Sequence, residues 1–291
     1  MTPPAATPKT AAQPGADLPQ PRQFTFEEYC AYEDGTDNRY ELVQGYLRLM
    51  SPPAGLHIII CDFLVYVFNR LFARSRRPLH AGREVGVRIH QNTCRIVDVC
   101  VNGSDHWQTI SQPGEIGIFL LAQTPLLVVE VASTNEKEDY EAKYQEYASI
   151  GVREYWIVNH RREHLRLCTA AYPGGPYTDR EFGKGERIVS SVLPQLDLTV
   201  DEVLNPPLVE SLMEQEQALQ AAIATERDRL EAENTAIATE RDRLEAENNA
   251  IATERDAFKA ERDASEAEKA VMQQELAQLR AAIAAKKFNA E

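Results

Sequence analysis

The stretch from Leu126 to Asn159 constrains the fold more than any other part of the chain. It opens with an aliphatic run that leads directly into Glu130, continues with a segment of helical period from Glu138 to Ile150, and closes with a second apolar run. Apolar runs of this length are typical of strands buried on both faces, and the middle segment is long enough for a helix. The stretch therefore predicts a strand, a helix and a second strand, with an ionisable Glu130 that needs a cation or a partner.

The length and the charge of the chain limit the number of domains and the kinds of partner that it can have. A chain of 291 residues can hold one ample domain plus an extension. The formal charge of −14 divides into −7 over residues 23–207, −8 over residues 208–291 and +1 over the first 22 residues. An acidic globular part offers no general attraction for nucleic acid, so such a partner would have to meet a local basic patch.

Apolar content and cysteine usage predict a cytoplasmic protein. We expect no apolar stretch to approach the roughly 20 residues that span a bilayer, and the first residues lack the pattern of a secretion signal. The cysteines are odd in number, scattered and without metal-ligand spacing, which predicts free thiols in a reducing compartment. They are Cys30, Cys61, Cys94, Cys100 and Cys168.

The globular domain is predicted to occupy residues 23–207, after a disordered tail over residues 1–22. Thr25 and Glu28 form a capping-box pattern that predicts a short helix, and Gln44-Gly45 predicts the turn of a hairpin. The dense apolar run from His57 to Phe72 predicts a largely buried helix packed on a sheet. Further strands are predicted over residues 84–89, 94–101, 116–121, 154–158, 165–171 and 186–192, and residues 198–203 close the domain.

A fourteen-residue repeat begins at Ile223, recurs at Ile237 and continues in degraded form from Ile251. Two heptads make fourteen residues, so these residues fall on one apolar heptad position, d, while Arg and Asn alternate on position a. This pattern predicts a coiled coil over residues 208–285 that joins two copies of the chain, followed by a tail over residues 286–291. A single solvated helix held by Glu and Arg pairs is the alternative.

Four charged residues fall where the predicted elements could form a metal site. Asp98 lies inside an apolar strand, Glu130 ends the next strong strand, Lys143 lies in the helix that follows, and Glu41 stands in the early hairpin. Two carboxylates on adjacent strands suit Mg²⁺ or Mn²⁺, and a nearby lysine could assist an attacking water or a phosphate. The chemistry that unites these groups is phosphodiester hydrolysis.

Each of these residues also has a structural interpretation. Asp139 and Lys143 could be an ordinary helical ion pair, Glu41 a surface residue of the hairpin, and Asp98 the cap of a loop. Glu130 is the hardest of the four to explain without a function, because a buried carboxylate is costly.

The order YELVQG, SPP, a strand with aspartate, LLVVEVAS and GVREYWIV resembles the Uma-type restriction endonucleases, a family of the PD-(D/E)XK nuclease superfamily. The resemblance covers about residues 24–205. It implies an α/β (α+β) fold with a restriction-endonuclease-like mixed central sheet flanked by helices, here followed by the long coiled-coil helix. It also implies that Asp98 and Glu130 bind metal, that Lys143 is the superfamily lysine moved into the helix, and that Glu41 is an auxiliary acid.

The chain departs from the superfamily pattern at three positions. Ala132 stands where many of these nucleases have lysine, Val97 replaces the proline before the aspartate, and Thr134 replaces another proline. His57 matches a recurrent family histidine but could equally be a helix residue bonded to a loop. Three further residues are auxiliary candidates: His57, Ser133 and Tyr147. Ser133 suits a helix N-cap better than a nucleophile, since no base is placed to activate it.

Two classes of function compete. The first is a magnesium-dependent endonuclease that cleaves DNA. A related possibility within this class is a hydrolase that acts on a smaller phosphoester. The second is an inactive nuclease-like binding or scaffold module dimerised by the coiled coil, which the acidic charge favours. The best candidates for phosphate contact are a group of arginines that should surround the acidic cleft if DNA binds there. They are Arg70, Arg74, Arg76, Arg77 and Arg83.

Overall fold

The computed structural model of the protein describes residues 22–132 and 136–288, and the chain divides into two units, Met1–Met213 and Glu214–Glu291. The elements are α1 (Phe26–Cys30), β1 (Tyr40–Val43), β2 (Tyr46–Leu49), α2 (Gly55–Ser75), β3 (Leu79–His90), β4 (Thr93–Gly103), α3 (Ser104–Ile110), β5 (Ile118–Phe119), β6 (Leu127–Val131), a π-helical turn (Glu138–Ala142), α4 (Lys143–Ser149), β7 (Glu154–Asn159), β8 (His164–Ala170), β9 (Tyr177–Gly183), α5 (Val200–Leu204) and α6 (Val209–Phe288).

The first unit is built on one mixed sheet. Seven of its strands follow the order β2, β1, β4, β6, β7, β8, β9, and β3 pairs with both β4 and β5. Strands β6 and β7 run parallel, as do β3 and β5, and the remaining pairs are antiparallel. Since β6, the π-helical turn with α4, and β7 form a parallel crossover, the predicted unit of strand, helix and strand is confirmed, as is the predicted mixed sheet flanked by helices.

Alternation along β6 divides the core into two layers. Leu127, Val129 and Val131 pack with the buried face of α2, where the rings of Phe68 and Trp156 meet edge to face at 5.6 Å. Val128 and Ala132 point to the opposite layer, which α4 covers. Each fully buried apolar side chain of this kind contributes roughly 1.5–3 kcal/mol. Side chains alternate between the two faces of a strand, so Glu130 points to the same layer as Val128 and Ala132, which is the α4 layer.

Several local predictions are confirmed. The Thr25 hydroxyl accepts from the Glu28 N–H and the Glu28 carboxylate accepts from the Thr25 N–H, which completes the capping box of α1. The hairpin of β1 and β2 turns at Gln44 and Gly45, whose φ angles of 50° and 86° are those of a type I′ turn. The predicted buried helix is α2.

One predicted strand is wrong, and one strand of the structure was not predicted. Residues 186–192 do not form a strand; Ser190 and Ser191 donate to the buried carboxylate of Glu154, which ties this segment across the end of β7. The last strand is β9, Tyr177–Gly183, which lies at the sheet edge and is mostly exposed. An exposed edge strand needs few apolar residues, so its sequence lacks the alternation that predicts a strand.

Helix α2 also corrects the expectation about membrane-spanning length. Its 21 residues are long and apolar enough to cross a bilayer by length and composition alone. Six of them are buried, and the residues that carry this packing lie on the sheet side of the helix, as in the core helix of a globular domain. The residues of this face are Ile60, Cys61, Phe63, Leu64, Phe68 and Phe72.

Helix α6 runs without interruption over 80 residues, from Val209 to Phe288. It extends past the predicted end of the coiled coil at residue 285, so residues 286–288 are helical where a tail was expected. The predicted tail over residues 1–22 lies, apart from Arg22, outside the described residues.

Candidate active site between strands β4 and β6

Glu130 is almost completely buried, with 2 % of its surface exposed, and both of its carboxylate oxygens have partners from α4. The Lys143 ammonium donates to Oε2 at 2.7 Å and the Tyr147 hydroxyl donates to Oε1 at 2.6 Å. Three of the residues singled out in the sequence therefore meet at one carboxylate.

The local helix geometry explains this meeting. Asp139, Lys143 and Tyr147 recur at intervals of four residues, so they lie on one helical face, and the π-helical turn Glu138–Ala142 precedes Lys143 directly. The Asp139 carboxylate lies 3.4 Å from the Lys143 ammonium. Both groups are buried, so this pair belongs to the interior of the site and not to a solvated helix surface.

Asp98 lies where β4 and β6 separate. The antiparallel pairing ends with Val99 and Val129, so Asp98 and Glu130 are the next residue of each strand beyond the last pair. There the Val131 N–H donates to the Asp98 carboxylate at 2.7 Å, and His57 of α2 contacts the other oxygen at 3.1 Å. The carboxylate thus sits in the seam between the strands, held from the α2 side, whereas that of Glu130 is held from the α4 side.

The charges in this region do not balance. Among the described residues, Glu130 and Asp139 both contact the ammonium of Lys143, whose charge also acts on Asp98, and the side-chain partner of Asp98 itself is His57. Burial, together with the charges of Asp98 and Asp139, raises the pKa of Glu130 well above its usual 4.5 despite the opposing effect of Lys143. Burial disfavours the charged form of Lys143, but Glu130 and Asp139 outweigh it and raise the lysine pKa, so the amine stays protonated.

The pKa of Asp98 shifts in the opposite direction, below its usual value. Burial alone would raise its pKa, but the hydrogen bond from His57, the charge of Lys143 and the Val131 N–H together lower it. Two carboxyl groups on neighbouring strands therefore differ in their readiness to ionise. Such divergence is common where a site handles protons or a cation.

Glu41 is buried and is held by a different cation. Its carboxylate accepts from the Arg95 guanidinium at 3.0 Å and from the Ile96 N–H at 3.1 Å. Arg95, 1 % exposed, also donates to Glu138 at 2.7 Å and forms a bidentate pair with Glu146. The interpretation of Glu41 as a surface residue of the hairpin is wrong, because Arg95 draws its carboxylate inward.

The arginines proposed for phosphate contact do not surround the acidic residues. His57 marks the end of α2 nearest Asp98, and Arg74 follows 17 residues later, which is about 26 Å along a helix. Arg70 stacks on the Tyr66 ring, and the Arg77 guanidinium donates to the Val192 carbonyl. Only Arg83, on β3 opposite Val99, lies near the site among these five residues, and it contacts Asp62 at 3.1 Å.

Sequence reasoning missed Arg95. The signal was present, since a charge inside an apolar strand had already drawn attention to Asp98 three residues later. Ser133, an auxiliary candidate, lies outside the described residues. Within the described residues, no group of three or more His, Cys, Asp or Glu side chains is arranged to hold a metal ion, so any cation here would complete its shell with other ligands.

Comparison with known proteins decides the family. The family model described as "Uma2: Putative restriction endonuclease" matches residues 26–201. The chain belongs to the Uma2 family. The resemblance found in the sequence is therefore confirmed, and the match covers both Asp98 and Glu130. No protein of curated function matches the chain.

The fold of this Uma2 protein has a counterpart among solved structures. A crystal structure from Anabaena variabilis, titled as a putative nuclease belonging to DUF820, superposes with a TM-score of 0.50 at 18 % identity. The match covers 62 % of this chain and 97 % of the other. At this identity the likeness supports the fold of the first unit.

Proposed function

We propose that the chain is a metal-dependent endonuclease that hydrolyses phosphodiester bonds of DNA, with Mg²⁺ or Mn²⁺ held by Asp98 and Glu130. The observation that carries the proposal is the buried acid between β4 and β6, where Glu130 and Asp139 contact one ammonium and Asp98 lies close enough to raise the pKa of Glu130. Membership of the Uma2 family supports nuclease chemistry in general.

The chemistry of the donors suits a hard divalent cation, which would lie in the seam between β4 and β6, where Asp98 is held from the α2 side and Glu130 from the α4 side. The donors are carboxylate oxygens, which Mg²⁺ and Mn²⁺ prefer, and a double positive charge would offset the surplus that raises the pKa of Glu130. Two protein ligands suffice for Mg²⁺, since it keeps several waters and relies on substrate phosphate for the rest. When bound, such an ion supplies Lewis-acid polarisation of the phosphate and activates a water for attack.

The side chains of the chain have separate duties in this proposal. Tyr147 holds one oxygen of Glu130 and fixes the direction of the other. Lys143 exchanges its contact with Glu130 for the substrate phosphate and stays anchored by Asp139, so its ammonium stabilises charge that develops on the phosphate oxygens. His57 and the Val131 N–H keep Asp98 ionised and oriented. Glu41 is held in the structural cluster of Arg95, and its proposed auxiliary role is limited to the effect of its negative charge on Lys143.

A scaffold without catalysis is the second candidate. The Lys143 ammonium already binds Glu130 at 2.7 Å, and the net charge of −14 opposes binding of a polyanion. In this alternative, the buried residues are a structural ion-pair cluster and the protein acts through its helical arm. For either candidate we propose a cytoplasmic location, which the free cysteines support.

Plasmid cleavage tests the proposal. We expect the full chain with Mg²⁺ or Mn²⁺ to nick or cut supercoiled DNA, and Glu130→Gln or Asp98→Asn to lower the rate at least about 100-fold because each loses a charged ligand. Glu154→Gln is the matched control, since it neutralises another buried glutamate one strand away from the site. Equal cleavage by wild type and Glu130→Gln would overturn the proposal, and absence of cleavage by pure wild type would favour the scaffold.

A further inference from the structure

Helix α6 carries an apolar stripe that a single chain leaves in water. Large apolar residues recur every seven positions from Ile223 to Leu279, with one interruption at Ser265. Those of the stripe are 46 to 73 % exposed. A stripe at heptad spacing on a helix of 80 residues is the pattern that packs against a second helix.

We infer that α6 pairs with a second copy of itself in parallel and in register. The first argument is the pair of polar positions Asn234 and Asn248, which occupy heptad position a in the two best copies of the repeat. In a parallel pair in register each asparagine meets its own copy, and the two amides hydrogen-bond to one another. In an antiparallel pair the same asparagines would face apolar d residues and lose that partner.

The second argument is charge. Position g is glutamate in eight successive heptads, from Glu226 to Glu275. An antiparallel pair runs the g positions of the two helices along each other, so glutamate would face glutamate throughout. A parallel pair places each g glutamate beside the a residue of the partner, and that residue is arginine at Arg227, Arg241 and Arg255. The glutamate column therefore opposes the antiparallel arrangement and compensates the arginine layers of the parallel one.

The contacts between positions g and e complete the comparison. In the parallel pair Glu226 faces Glu231 of the second copy, which is repulsive, whereas Glu254 faces Lys259 and Glu275 faces Arg280, which are attractive. Attractive contacts thus occur only in the later heptads. In the first heptads, position e is glutamate in one heptad and alanine in the next, so only every second contact between g and e is repulsive. The parallel pair therefore carries fewer like-charge contacts than the antiparallel one.

Parallel pairing has a consequence for cleavage, which rests on the proposed function. It brings both copies of Val209 to one end of the pair, so the two domains that precede them are tethered at that end. Two nuclease sites tethered together can act on both strands of one duplex in a single encounter. We therefore expect double-strand cuts from the paired chain and single-strand nicks from a chain that cannot pair.

Disulfide trapping in the full chain tests the arrangement. We expect Asn234→Cys and Asn248→Cys, each alone, to form covalent dimers rapidly under mild oxidation, since each residue meets its own copy. Ala246→Cys, on the outer face two residues from Asn248, is the matched control and should cross-link at the rate of wild type. The native cysteines give little background, because four of the five are buried.

An independent pair of variants guards against disturbance by the cysteines. Ile237→Glu with Leu244→Glu charges the stripe, and Thr239→Glu with Ala246→Glu adds the same charge to the outer face. Analytical ultracentrifugation should give the mass of one chain for the stripe variant. It should give the mass of two chains for the outer-face variant and for wild type. A single chain for wild type, or three, or cross-linking at no more than one asparagine position, would overturn the inference. None of these measurements needs nuclease activity, so they fail independently of the proposed function.

Discussion

Strand β4 carries two buried charge clusters only three residues apart, and they differ in how charge is compensated. Around Arg95, three glutamates bind one guanidinium, Glu138 also pairs with a second cation, Arg48, and both Glu138 and Glu146 keep 14 to 15 % of their side chains in contact with solvent. Around Glu130, two acids, Glu130 and Asp139, contact one ammonium, and the Glu130 side chain is only 2 % exposed.

The difference teaches that a buried charge is not by itself a sign of function. The Arg95 cluster ties β1, β4, the π-helical turn and α4 together through bidentate and single hydrogen bonds, which is what a structural ion-pair network does. The Glu130 cluster retains an acid whose pKa is raised, which a folded domain tolerates only at a cost. A buried acid that shares its only ion-pair partner among the described residues with a second acid is the better candidate for binding a cation.

The largest change in stability should come from a substitution that removes the cation of the Arg95 cluster. Arg95→Met leaves Glu41, Glu138 and Glu146 without their shared cation, so we expect the free energy of unfolding at pH 7 to fall by about 3–5 kcal/mol. Arg48→Met removes a half-exposed partner of Glu138 and should lower it by less than about 1 kcal/mol. Urea denaturation followed by circular dichroism measures both. Equal losses would show that Arg95 has no special structural role.

A smaller change in stability, of opposite sign, should come from removing the charge of Glu130. Glu130→Gln removes surplus negative charge while Lys143 keeps Asp139, so without metal the variant should be more stable than wild type by about 1–2 kcal/mol at pH 8. The raised pKa of Glu130 means that the folded protein holds a proton which the unfolded chain releases. The cost of ionising Glu130 therefore disappears as pH falls to its usual 4.5.

The measurement for Glu130→Gln is a pair of urea denaturation series at pH 8 and pH 5, without metal. The stability gap between variant and wild type should narrow at the lower pH, where Glu130 is protonated in the folded protein. A variant that is less stable than wild type at both pH values would show that the Lys143 contact compensates Glu130 fully.

The smallest effect should come from Tyr147→Phe. The change removes one hydrogen bond to a carboxylate and leaves the packing of the ring, so we expect a loss of about 1 kcal/mol at pH 8. Cleavage should retain its metal dependence, because both proposed ligands remain. Denaturation and plasmid cleavage of the same preparation check the two expectations, and a complete loss of cleavage with normal folding would assign Tyr147 a more direct role.

The sequence predicted most of the acid site because its signals are local. Glu130 conflicts with the apolar strand that contains it, and Lys143 and Tyr147 follow at helical spacing. The mixed sheet was predicted from the same stretch together with the resemblance to a known family. The signals for these three residues all lie between Glu130 and Tyr147, so no distant partner was needed to find them.

What the sequence could not predict depends on distant partners. Arg95 acquires its role from glutamates 43 to 54 residues away along the chain, and no pattern near Arg95 identifies them. The arginines after Arg70 cluster in the sequence, but the length of α2 carries them away from Asp98. Strand β9 escaped prediction because a strand exposed at a sheet edge has no apolar face to reveal it.

Calorimetric titration of Mn²⁺ into the full chain tests the central claim most directly, because it needs no knowledge of the substrate. The account predicts one ion bound per chain by wild type, none by Glu130→Gln, and unchanged binding by Glu146→Gln, which makes the same chemical change in the Arg95 cluster. Binding by Glu130→Gln with the affinity of wild type, or absence of binding by wild type, would contradict it.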